Sequence, residues 1–172
     1  MTTYVALLRA VNVGGTGKLP MATLKAMCSE AGFTRVETYI ASGNVVLDSK
    51  AKPARIKADL EARLHAHFGK AAGVIVRSAA EMAAVVAANP FPKADPRKTA
   101  VLFLDARPPR DALAHAKGQH DEEMALGERE IFIHYPSGMG RSKLRISAAA
   151  KGTARNMNTV ATLAQWANQR AE

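Results

Sequence analysis

With 172 residues, 48% of them hydrophobic and 23% charged, the chain has the composition of a globular protein that buries a core, which excludes wholesale disorder. Its 24 Lys and Arg against 15 Asp and Glu give a formal charge of +9. That balance either keeps an alanine-rich surface soluble or makes a positive field for phosphates, nucleic acid or an anionic surface. One cysteine, Cys28, excludes an intramolecular disulfide and any cysteine-based zinc site.

The segment Tyr4 to Val11 is an apolar run too short for a helix and closed by Asn12-Val13-Gly14-Gly15, so it reads as a buried strand. It lacks a basic flank and Arg9 interrupts it, so the expectation is neither signal peptide nor membrane span but a cytoplasmic, bacterial-type protein. Pro20 then opens a helix with Leu24, Met27, Cys28 and Ala31 at helical spacing, and Gly32 stops it. Cys28 reads there as a small buried hydrophobe. Between strand and helix, Gly17-Lys18 resembles the end of a P-loop, but Asn12 stands where a Gly is needed and Leu19 where the magnesium-binding hydroxyl belongs. A plain βα connection, or amides lining part of an anion pocket, are the readings left.

Val36–Ile40 and Val45–Leu47 flank Ala41-Ser42-Gly43-Asn44 and predict a hairpin. A helix follows from about Pro53 to Phe68-Gly69, then a strand at Val74–Val76. The order β-α-β-β-α-β is that of the plait. Ser78 and Glu81 have capping-box spacing for a further helix, which Asn89-Pro90-Phe91-Pro92 ends. Beyond this boundary the pattern predicts a strand at Ala100–Leu104, a short helix near Asp111–Lys117, strands at Glu123–Leu126 and Ile131–His134, and a last helix from Asn158 to about Arg170. The expected architecture is therefore α/β (α+β): two tightly associated ferredoxin-like (βαββαβ) halves, 1–92 and 93–172, in one compact unit.

The chemistry concentrates in Tyr135–Asn158, which carries Arg141, Lys143, Arg145, Lys151 and Arg155 with no acidic residue among them. Gly138 and Gly140 let backbone approach a ligand, while Arg grips an anion through two parallel hydrogen bonds and Lys acts as a point charge. Gly152-Thr153-Ala154-Arg155-Asn156 repeats this recipe before the last helix, whose N-terminal amides add partial positive charge. The expected ligand set is Arg141, Lys143 and Arg155 for charge, Gly138 and Gly140 for access, and Ser142, Asn156 and Asn158 for orientation. Other chemistries have weaker support. The five histidines show no HExxH spacing, so neither metal nor cofactor is expected, and Asp121-Glu122-Glu123 reads as a solvated edge. The strands offer Tyr4, Tyr39, Phe103 and Phe132 but no clustered aromatic motif for stacking RNA bases.

Several blocks in order, LLRAVNVGG with KLPM, TYIASGNVV, NPFP, YPSGMGRSKL and GTARNMNTV, resemble the mainly bacterial family known as domain of unknown function 1697. The departures are Ala10-Val11 where Gly-Ile is usual, Ala41 where Gln is usual and Met157 where Trp is common. The resemblance implies two plait-like halves and no activity, since that family has no established function. It also points to Arg9, Asn12, Tyr39, Ser42 and Asn44, which fall in the same family blocks and are expected to join the basic C-terminal segments in one site. The leading expectation is a binding protein for an anionic, phosphate-bearing ligand, nucleic acid included. The alternative is a transferase-like enzyme acting on an anionic small molecule, with Arg9, Asn12, Ser42 and Asn44 in its site, and a third is partner contact through a sheet edge.

Overall fold

The computed structural model describes residues 1–9, 18–40 and 43–171. Two compact units divide the chain: Met1–Ala83 together with Leu163–Glu172, and Ala84–Thr162. Among the described residues no helix is long and apolar enough to cross a membrane.

In the first unit, strand β1 (Thr2–Leu8) is followed by helix α1 (Met21–Glu30), strands β2 (Thr34–Thr38) and β3 (Asn44–Ser49), helix α2 (Pro53–Phe68) and strand β4 (Val74–Ser78). The sheet order is β2-β3-β1-β4 with antiparallel neighbours throughout. This is the expected ferredoxin-like plait. Alternation along the strands sends Tyr4, Ala6, Leu8, Val45, Leu47, Val74 and Val76 to one core, where α1 delivers Leu24 and Cys28 and α2 delivers Ile56, Leu60 and Leu64. Each of the three α2 side chains is fully buried, a contribution of roughly 1.5–3 kcal/mol apiece. The helix ends follow the local chemistry. Gly32 at φ +90° turns the chain out of α1 so that Phe33 N–H bonds back to the Cys28 carbonyl at 3.1 Å. Gly69, at φ +72°, closes α2 in the same left-handed conformation.

Helix α3 (Ala79–Ala87) begins with the predicted reciprocal cap, Glu81 N–H to Ser78 Oγ at 3.1 Å and Ser78 N–H to Glu81 Oε1 at 2.9 Å. The second unit then contains β5 (Thr99–Phe103), β6 (Glu123–Leu126), β7 (Glu130–His134) and β8 (Thr153–Asn156), in the order β6-β7-β5-β8. The same strand order recurs, but neither crossover carries an α-helix.

The helix predicted near Asp111–Lys117 is a series of turns. Ala112, Ala114 and Ala116 donate three residues back, to Pro109, Asp111 and Leu113. Gly118 at φ +72° cuts the segment off before an α-helical turn can propagate. A 3-10 segment, Ser147–Lys151, occupies the second crossover. Leu113, Ala116, Leu144 and Ala148 from the two crossovers cover the face on which Leu102, Leu104, Ile131, Ile133 and Ile146 cluster. Helix α4 (Met157–Ala171) begins in the second unit and ends in the first. There Trp166 meets Tyr39 edge-on at 5.2 Å between ring centroids, and Asn168 donates to the Ala79 carbonyl at 3.0 Å.

Candidate functional site

Strands β6 and β7 pair antiparallel with Glu123 opposite His134, so the loop entering β6 and the loop leaving β7 emerge side by side from one end of the sheet. They are pinned again further out. Lys117 N–H donates to the Arg145 carbonyl at 2.9 Å and Arg145 N–H returns to Lys117 at 2.7 Å. Two loops held at both ends enclose a cleft of about 460 Å³ lined by Gly118, His120, Asp121, Glu122, Ser137 and, from the predicted basic segment, Gly138 and Arg141 to Lys143.

Arg141 and Lys143 are exposed at this cleft, and among the described residues neither side chain has an ion pair or hydrogen bond. Gly138 adopts φ +90° with open space where a Cβ would project. Glycine is required there by the backbone conformation rather than by a neighbour.

Ser142 lies at the inner side. Its hydroxyl donates to the Glu122 carboxylate and accepts from Leu144 N–H at 3.2 Å. Glu122, only 5% exposed, also accepts from His120 N–H at 2.6 Å. The solvated edge expected at Asp121-Glu122-Glu123 is thus a half-buried Asp121, a buried Glu122 and an exposed Glu123. The Ser142 hydroxyl, and next the His120 amide, hold the Glu122 carboxyl below the usual carboxylate range. Tyr135 is pushed the other way, its phenol raised by burial and then by the Glu122 charge. Asp121 accepts a hydrogen bond from Ser137.

The remaining C-terminal candidates lie elsewhere in the second unit. The Gly152–Asn156 segment, expected as a second basic loop, forms β8, with Arg155 opposite Val101 of β5. That strand is on the opposite edge of the sheet from β6. Arg155 is 8% exposed and donates to Thr153 Oγ1 at 2.8 Å and to the Ala154 carbonyl at 2.9 Å. Burial lowers its guanidinium to about 10. Asn156 caps α4, its Oδ1 accepting from Thr159 N–H at 2.9 Å. Asn158 is exposed in the first turn of that helix, where its carbonyl accepts from Thr162. Gly140 is exposed beside Arg141 with nothing near its Cβ direction.

Arg9, Tyr39 and Asn44 belong to the first unit and gather at one end of its sheet. Leu8 N–H donates to Gly43, and Arg9 N–H to Gly73 at 2.8 Å. Asn44, fully buried, exchanges bonds with Tyr39 through its backbone carbonyl at 2.9 Å and its Nδ2 at 2.8 Å. Asn12 and Ser42, and most of the Val11–Lys18 loop, lie outside the described residues. A second cleft of about 440 Å³ in this unit is lined by Thr3, Arg35, Asp48 and Arg170 among others. Its charges compensate one another: Arg35 Nε reaches Asp48 at 2.5 Å, and Arg170 lies 2.5 Å from Glu37 and 3.7 Å from Asp48.

Sequence reasoning missed Ser137 within the basic segment, and Gly118, His120, Asp121 and Glu122 as that segment's partners. Glu122 precedes Ser142 by 20 positions. The signal that could have linked them is the short connection between the two predicted strands, which makes them hairpin neighbours and brings their outer loops together.

The family described as protein of unknown function (DUF1697) matches residues 1–132. No curated protein matches the chain. A solved structure described as conserved bacterial protein SP0830 from Streptococcus pneumoniae is similar over 95% of this chain and 97% of that one, with 26% identity and a TM-score of 0.79.

Proposed function

The chain belongs to this family of proteins of unknown function, and we propose that it binds a compact phosphate-bearing anion in the cleft of the second unit. The carrying observation is that Arg141 and Lys143 both line the cleft without a compensating partner among the described residues. Cations so placed lose little by receiving an anion, and Arg adds the fork geometry that fits phosphate oxygens. The cleft volume is within the range of small-ligand sites. None of its lining residues is a Phe, Tyr or Trp, and His120 is the one ring there, so this lining has no series of aromatic platforms for successive bases. That favours a small anion over an oligonucleotide.

A catalytic use of this cleft, distinct from the expected transferase-like site at Arg9, Asn12, Ser42 and Asn44, would need Ser142 with Glu122 as its base. A carboxylate held below its ordinary range is a poor proton acceptor near neutral pH. Binding is therefore the reading we adopt. Calorimetric titration with inorganic phosphate at low salt tests it. Wild-type protein should bind, Arg141→Ala should weaken binding about tenfold, equivalent to ~1.4 kcal/mol, and Lys143→Ala should act in the same direction. Equal affinities in all three proteins would remove the proposal.

A further inference from the structure

Resting on the anion reading, we infer that the cleft takes a phosphate ester that also carries a primary amine, in preference to inorganic phosphate or a hydroxylated phosphate ester. The cleft lining holds two opposed chemistries. Arg141 and Lys143 are donors only and cationic, whereas Asp121 and Glu122 are carboxylates of the same lining.

The carboxylates retain capacity. Glu122 accepts one bond from Ser142 on Oε2 and one from His120 N–H on Oε1, and Asp121 accepts from Ser137 on Oδ2. An ionised carboxylate offers about four acceptor sites, so each has unfilled positions. Bare phosphate would satisfy the cations but set its own charge against two carboxylates, a like-charge juxtaposition that binding sites avoid. A hydroxyl group would supply a neutral donor. An ammonium supplies a charge-assisted donor, about twice as strong, and matches two cations and two anions with a ligand carrying both signs. The pinned loops fix this separation of charge, since the acidic residues all come from the β6 side and both cations from the β7 side.

The test is titration of the full chain with inorganic phosphate, glycerol 3-phosphate and O-phosphoethanolamine at neutral pH. The amine ester should bind about tenfold tighter than either other probe. Asp121→Asn should abolish that preference and raise the affinity for inorganic phosphate, because a like charge has gone. Glu122→Gln should act in the same direction, and Asp121, only half-buried, provides the variant that keeps the buried Glu122 contacts intact. Cosedimentation with phosphatidylethanolamine vesicles separates the sources: Arg141-dependent sedimentation assigns the group to a lipid headgroup, its absence to a soluble ester. Arg141-dependent phosphate binding with no preference for the amine, or a preference surviving both substitutions, overturns this inference alone. If none of the three probes binds, it falls together with the anion reading.

Discussion

Gly118 lies directly against the backbone of Lys143: a Cβ at Gly118 would come within 2.2 Å of the Lys143 carbonyl oxygen. Gly118 also has φ +72°, a conformation that costs an L-residue roughly 1 kcal/mol. The offending atom is backbone, so relief requires the Arg141–Lys143 loop to move. Gly118→Ala should therefore lower stability by about 2–3 kcal/mol and weaken phosphate binding as well. Chemical denaturation and calorimetry measure the two effects. By contrast, Gly138→Ala meets no neighbour and should show only the conformational cost.

Glu122 predicts an acid-dependent stability difference. Its folded-state pKa is depressed, by the Ser142 hydroxyl first and the His120 amide second. A depressed carboxyl stabilises the fold above its unfolded value of about 4.3 and loses that contribution as pH falls through the lower folded value. Glu122→Gln keeps an acceptor for Ser142 but cannot ionise. Its melting temperature should lie below wild type at pH 7, and the gap should shrink once pH drops below about 4.3. A gap that stays constant down to pH 3 would count against the carboxylate's role.

What was legible in the sequence depended on how far each feature reached. The helices α1 and α2 were readable because Leu24 and Cys28, or Ile56, Leu60 and Leu64, repeat within one segment and need no distant partner to declare a face. Strand β8 was not, because four residues, Thr-Ala-Arg-Asn, carry little strand preference and acquire their conformation from pairing with β5. The same limit governed the site. Gly138, Arg141 and Lys143 announced a cationic loop by composition, yet the carboxylates opposite them come from a segment separated by a hairpin, and their burial depends on that hairpin being formed. Arg155 looked equivalent to Arg141 in the letters. It differs because a place on a strand buries its stem and spends its donors on Thr153 and Ala154.

Cys28 should be inert in the native protein. It is fully buried, and loss of hydration pushes its thiol up to about 12, against a smaller lowering by Arg63. At pH 8 the reactive thiolate is then essentially absent, and access is blocked as well. Iodoacetamide should leave the folded protein unlabelled at that pH and modify it stoichiometrically in denaturant, as intact-mass measurement would reveal. Rapid labelling without denaturant would contradict the burial of this face of α1.

At the end of α4 a charge network adds to the apolar contacts of Leu163, Trp166 and Ala167 in the first unit. Arg170 donates to the Arg35 carbonyl, lies 2.5 Å from Glu37 and approaches Asp48 at 3.7 Å. Its side chain is 9% exposed and that of Asp48 6%. Asp48 further accepts from Thr3 Oγ1 at 2.9 Å and pairs with Arg35 at 2.5 Å. Removing Arg170 takes one of two cations from the buried Asp48, while the more exposed Glu37 and Arg35 can turn to water, so Arg170→Ala should cost about 2 kcal/mol. Arg170→Lys should recover only part of this, because an ammonium cannot reproduce the planar fork shared among three acceptors. The exposed pair Arg107–Glu128 is the contrast, and Glu128→Ala should leave the urea midpoint unchanged. If Arg170→Ala has as little effect as Glu128→Ala, the network adds nothing to the apolar contacts that fasten the last helix to the first unit.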